Sequence, residues 1–176
     1  MCLLDADADA LMPVDVAAQA VRMNPRLVLV STDQVNSGDV TKMAAAGETA
    51  RAIKKRSPRL PVLMAGNVPS AYPEKVMREE AADFVCQGEP YEPIRELLAV
   101  LSAKGTGHRL VDNEVTGIWA KYDDRIVSSR QARPFASIDE LPYPAWDMMP
   151  PGRYRGTVFG FAFPVPSSRL EFDLVI

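Results

Sequence analysis

The chain has 176 residues, 47% apolar and 24% charged, with a formal charge of −3, which is enough for one packed domain and an appendage but too little for two full domains. Scattered basic residues in a slightly acidic chain argue against a nucleic-acid partner, and no apolar run is long enough to cross a bilayer. No tripartite secretion leader opens the sequence, so a cytoplasmic location away from membranes is expected.

Four short apolar runs read as strands: Cys2–Leu4, Leu27–Val30, Val62–Ala65 and Phe84–Cys86. Each is continuous rather than alternating, as in a parallel sheet covered on both faces. After the first run, Pro13 opens a helix carrying Val16, Ala17, Ala20 and Val21 on one face, and Asn24-Pro25 stops it. Val40, Met43, Ala46, Ala50 and Ile53 line a second helix that ends near Ser57-Pro58. Pro73 begins a third, shorter helix through Met77, and Ile94, Leu97, Leu98 and Leu101 give the stripe of a fourth. Strand and helix alternate to about Lys104, which predicts right-handed crossovers and a doubly wound α/β sheet of the Rossmann-like, flavodoxin-like kind.

Beyond Gly105-Thr106-Gly107 the pattern changes. Ile118–Tyr122 and Arg125–Ser129 read as a hairpin turning at Asp123-Asp124. The following "RPFASIDELPYPAWDMMPPGRY" reads as an extended strap whose Phe135, Leu141, Tyr143 and Trp146 need a surface to bury against. "GTVFGFAFPVP" reads as one further strand. The expected division is residues 1–105 for the Rossmann-like domain and 106–176 for hairpin and strap.

Chemistry in such a sheet belongs at the carboxyl ends of the strands. Four loops leave those ends: Asp5–Met12, Ser31–Asp39, Gly66–Tyr72 and Gln87–Tyr91. Ser31, Thr32, Asn36, Asn67 and Ser70 offer neutral hydrogen-bonding groups, and glycine at 66 and 88 lets a ligand approach the backbone. This rim suits a large amide-bearing ligand better than a polyphosphate, although the same residue types also serve plain strand-to-helix turns. There is no G-x-G-x-x-G and no Walker motif, and Ser31 stands where a phosphoacceptor receiver would carry aspartate. Asp5, Asp7 and Asp9 lack the glycine and terminal glutamate of a calcium loop. Glu89 and Glu92 could pair as acid and base, but they also suit the first turn of the fourth helix. His108, the single histidine, falls in a connector. Cys2 and Cys86 lie in apolar runs at no metal-binding spacing, which predicts buried reduced thiols.

The stretches "NPRLVLVST", "ARAIKKRSPRLPVLMAGNVPSAYPEKVM" and "ADFVCQGEPYEPIRELL" resemble the cobalamin-binding domain that precedes the barrel of cobalamin-dependent radical S-adenosylmethionine enzymes, such as the anaerobic magnesium-protoporphyrin monomethyl ester cyclase and hopanoid methylases. The "VTGIWAKYDDRIVSSRQARPFASIDELPYPAWDMMP" segment looks like that family's linker, so the likeness runs over about residues 1–150. The resemblance implies cobalamin held at the carboxyl edge of the sheet. Its serine-threonine loop would map to Ser31 and Thr32, its glycine turn to Gly66, Asn67 and Pro69, and its G-E turn to Gly88 and Glu89.

Three departures qualify the resemblance. The family begins with one more strand and helix, so "MCLLDAD" matches its second strand; "TVFGFAF" or a strand from a second copy is expected to fill the gap. No D-x-H-x-x-G stretch exists, so His108 is not a lower axial ligand. The three-cysteine cluster motif is absent, which leaves S-adenosylmethionine and the 4Fe–4S cluster to a barrel lying beyond this chain. The resulting expectation is a non-catalytic cobalamin-binding accessory domain, cut before the barrel of a methyltransferase or oxidative cyclase. The alternatives are a Rossmann-like domain that has lost the cofactor and serves as an interaction module, or a small enzyme built on Glu89.

Overall fold

In the computed structural model, the apolar runs around Met64 and Val85 become the two central strands of a mixed sheet. The structure describes residues 2–6, 9–32, 41–110, 114–123, 125–133, 139, 141–143, 148, 155–158 and 161–164. The chain divides into two compact units, one of Pro13–Pro134 and one of Met1–Met12 with Phe135–Ile176.

The first unit runs α1 (Pro13–Arg22), β1 (Val28–Ser31), α2 (Thr41–Arg56), β2 (Val62–Ala65), α3 (Asn67–Ala71), α4 (Pro73–Glu79), β3 (Phe84–Cys86), α5 (Tyr91–Lys104), β4 (Ile118–Tyr122) and β5 (Arg125–Ser128). The five strands lie in sequence order. β1, β2 and β3 are parallel, with Val30 beside Met64 and Met64 beside Val85. β4 then runs antiparallel to β3, with Trp119 beside Val85, and β5 antiparallel to β4. The predicted α/β class and the predicted hairpin are both present.

Side-chain alternation sorts the core into two layers. Val62, Met64 and Val85 point to one face, where Ala46, Ala50 and Ile53 of α2, Val76 and Met77 of α4, and Ala17 of α1 cover them. Leu63, Ala65, Phe84, Cys86, Ile118 and Ala120 point to the other, under Leu97 and Leu101 of α5. β2 and β3 are buried along their whole length, which is why both read as unbroken apolar runs. A large apolar side chain buried this fully contributes about 1.5–3 kcal/mol. β1 departs from that pattern. It is the sheet's edge, and Leu29, on the face opposite Val28 and Val30, is 44% exposed.

Four expectations need correction. Cys2–Leu4 forms no strand; a three-residue apolar run becomes a strand only where neighbouring strands receive it, as they do β3, and the backbone just after Leu4 makes local turns through Asp9 N–H to Asp5 O and Leu11 N–H to Ala6 O. Cys2 is accordingly exposed, whereas Cys86 is buried as expected. The tail makes two strands, not one: β6 (Arg155–Val158) and β7 (Phe161–Pro164) pair antiparallel as a sheet of their own and do not join the five-stranded sheet. Finally, of the strap aromatics said to need burial, Tyr143 is 99% exposed, its phenol being tolerant of water. Phe135 and Trp146 lie outside the described residues.

The amino end of the sheet is held by charge. Lys54 Nζ donates to both carboxylate oxygens of Asp83, at 2.9 Å each, and to the Leu60 carbonyl at 3.2 Å. Asp83 Oδ2 also accepts from the Val62 N–H at 2.8 Å, and the Asp83 carbonyl accepts from Lys121 N–H at 3.0 Å. One carboxylate thus ties the start of β2 to α2, while its own backbone ties the start of β3 to β4.

Candidate functional site

The carboxyl end of the same sheet is built of small, mostly neutral residues, with Glu89 as the charged exception. β1 delivers Ser31 opposite Ala65 of β2. Thr32 follows, with its N–H and its Oγ1 both donating to the Ala65 carbonyl, at 2.9 and 3.2 Å. Those two bonds hold the chain leaving β1 against the chain leaving β2.

At the end of β2, Gly66 begins a short helix where a loop was expected. α3 runs Asn67–Ala71 with Gly66 as its cap, and Ser70 N–H donates to the Gly66 carbonyl at 2.9 Å. Pro69 sits in its first turn, where no intrahelical N–H is needed. Its ring is among the fully buried side chains, so Pro69 supports the bend from beneath instead of facing outward. Asn67 is exposed and Ser70 half-buried. Tyr72, which closes α3 and caps α4, is 62% exposed.

The third loop lies against the second. Gly88 N–H donates to Ser70 Oγ at 2.8 Å, which joins the bend after β3 to the helix after β2. Gly88 holds φ +85°, and a Cβ built on it would meet nothing within 4 Å. Open space therefore faces the backbone at this point. Glu89 is exposed beside it. Glu92 stands in the first turn of α5 and pairs with Arg95 at 2.6 Å, an i,i+3 surface contact. That is the helix-terminus role expected for an acid there.

Ser31, Thr32, Gly66, Asn67, Gly88 and Glu89 therefore share one edge of the sheet, with Pro69 under it. The rest of the loop after β1, from Asp33 to Val40, lies outside the described residues. Ser70 was read as a hydrogen-bonding group of this rim, but its partner Gly88 was not, and Gln87, placed at the start of a rim loop, was given no role. The signal available was weak: a serine four residues after one glycine and a glutamine immediately before another.

His108 is not near this edge. It follows α5, whose 14 residues carry the chain about 21 Å from its start at Tyr91. There His108 Nε2 lies 2.9 Å from Glu114 Oε2, and Glu114 also pairs with Lys104. Among the described residues no group of three or more His, Cys, Asp or Glu side chains could hold a metal ion. Likewise no helix among them is long and apolar enough to cross a membrane.

The edge carries backbone amides, hydroxyls, the Asn67 side-chain amide and the Glu89 carboxylate, and it presents Gly88 without a side chain to open space. Among the described residues of this edge, the groups offered are ones that bind and orient a ligand. The family model described as the B12 binding domain matches residues 2–98. No curated protein matches the chain.

Proposed function

The chain belongs to the B12 binding domain family, and from that premise we propose that it is a cobalamin-binding accessory module of a radical S-adenosylmethionine enzyme. The observation that carries the reading is the Ser70–Gly88 hydrogen bond, which sets two bends side by side on a mostly neutral edge with open space at Gly88. Such an edge fits a flat ligand fringed with amides. In this reading Asn67 and Glu89 reach its polar fringe, Gly66 and Gly88 admit its bulk to the backbone, and Ser31 and Thr32 bound it on the β1 side. Pro69 stiffens the Gly66 bend from below. No protein histidine ligates the cobalt, because His108 belongs to the opposite end of α5.

Cobalamin, when bound, supplies either methyl relay or assistance to substrate oxidation, while the protein binds and orients it. Residues 1–105 form the cofactor module in this proposal, and 106–176 lead toward a barrel carrying S-adenosylmethionine and a 4Fe–4S cluster. The chain itself catalyses nothing; the larger protein is a methyltransferase or oxidative cyclase. We place it in the cytoplasm, consistent with Cys86 being a buried thiol in no disulfide.

Titration with hydroxocobalamin tests the reading. Binding to the folded form alone raises stability by about 2.7 kcal/mol at a hundredfold excess over Kd, with a corrinoid absorbance change. Absence of both leaves the second reading, an interaction module without cofactor, which the exposed Leu29 on the edge strand favours. That reading predicts homo-oligomers in solution, measurable by light scattering.

A further inference from the structure

The family match ends at residue 98, yet the bend at Gly88 is held by residues beyond it. We infer that the β4–β5 hairpin is a positioning element of the binding edge: Gly117 and Trp119 fix Gln87, and through Gln87 they fix the Gly88 bend. The inference rests on the cobalamin reading for its ligand, but its geometry stands apart from it.

Gln87 is held from the hairpin through both its backbone and its side chain. Its N–H donates to the Gly117 carbonyl at 2.8 Å. Its side-chain Oε1 accepts from Trp119 Nε1–H, also at 2.8 Å. Gly117 can come this close because it has no side chain: at φ +64°, a Cβ there would lie 3.0 Å from the Gln87 carbonyl oxygen and 3.0 Å from Pro93 Cγ.

Gly117 is itself anchored. Its N–H donates to the Arg130 carbonyl at 2.6 Å. Next to it, the N–H and Oγ1 of Thr116 both donate to Glu96 Oε2 on α5, at 2.7 and 2.9 Å. The hairpin thus grips β3 and α5 at the point where the chain passes between them.

A glycine is the residue least able to hold one conformation by itself. Gly88 has Ser70 on one side and the clamped Gln87 on the other. With both in place the bend is ordered before a ligand arrives, and affinity is not spent on ordering it. Trp119 acts through Gln87 and is a positioning residue, not a ligand contact.

The test uses the full chain. Trp119→Phe keeps the ring packing and removes the N–H donor; Gln87→Leu removes the acceptor. Each is expected to weaken hydroxocobalamin binding about fivefold, the loss of about one hydrogen bond, and the double variant to be no worse than either alone. In ligand-free protein, NMR should show faster amide exchange at Gly88 in both variants. Tyr122→Phe, on the same strand at its far end, should leave affinity unchanged.

Wild-type affinity and unchanged Gly88 exchange in Trp119→Phe and Gln87→Leu would overturn the inference, as would an equal affinity loss in Tyr122→Phe. If wild type binds no hydroxocobalamin, the cobalamin reading fails first. The Gly88 exchange rates then decide the hairpin's role: faster exchange in the variants supports it, and unchanged exchange refutes it.

Discussion

The two ends of the five-stranded sheet are made of different chemistry. At the amino end, Lys54 and Asp83 meet over the starts of β2 and β3, and Lys121 reaches the Met77 carbonyl at 3.3 Å. At the carboxyl end the ties are neutral: Thr32 to Ala65, Ser70 to Gly88, and Trp119 to Gln87. Charge placed at the amino end binds the layers together away from the candidate edge. Neutral ties at the other end leave an edge that holds its shape and still offers amides and hydroxyls. Stability and binding should therefore separate by position along the strands.

Gly117→Ala is the substitution most able to break that division, because it lies at the carboxyl end yet should cost the most. Its Cβ would stand 2.9 Å from Ala132 Cβ and 3.0 Å from the Gln87 carbonyl oxygen, at φ +64°. Overpacking with backbone strain costs about 2–4 kcal/mol, to be read by urea unfolding.

Asp83→Ala, at the amino end, strands the Val62 N–H and the Lys54 ammonium. Side chains a quarter to a third exposed soften that loss, so about 1–3 kcal/mol is expected. Hydroxocobalamin affinity should not change, and a large change would blur the comparison.

Gly88→Ala should do the reverse. Nothing crowds the new methyl, so the cost in stability is about 1 kcal/mol of left-handed backbone. The methyl enters the open space, and binding measured by absorbance titration should weaken more than thermal stability does.

The smallest effect concerns pH. Burial pushes the Tyr122 phenol above its ordinary value of 10.0, while the hydrogen bond from the Leu110 N–H, at 2.7 Å, pulls it back. Below pH 10 the phenol is protonated in both folded and unfolded chains, so its contribution is constant. Above that, the unfolded chain gives up its proton first and stability falls as pH rises. Tyr122→Phe should flatten the alkaline decline in melting temperature.

Much of the first unit was legible because burial on both faces writes itself as unbroken apolar runs. β2 and β3 fall on their predicted residues, and β1 is displaced by one. α3 was illegible: five residues are too few for a period, and Pro69 reads as a turn until its place in a first turn is seen. The hairpin was legible, but its partner was not. Pairing of β4 with β3 depends on Gly117 fitting against Gln87, 30 positions earlier, and no local pattern records that. Cys2–Leu4 misled because a short apolar run looks the same whether or not a neighbouring strand is there to receive it.

At the candidate site, the glycines and hydroxyls at strand ends were visible because such residues gather there. The bond from Gly88 to Ser70 spans 18 positions, and it was hidden in a serine that any turn could carry. His108 was correctly read as a connector residue, and its partner Glu114 appears only in three dimensions.

β5 rises from Arg125, beside Tyr122, to Ser128, beside Trp119. The polypeptide therefore leaves this unit at Gln131–Arg133 from the carboxyl edge and not from the charged end. Whatever follows is therefore tethered, at its first residue, on the side of the sheet that carries Gly66 and Gly88. For a short flexible leash, that proximity is worth a local concentration on the order of millimolar.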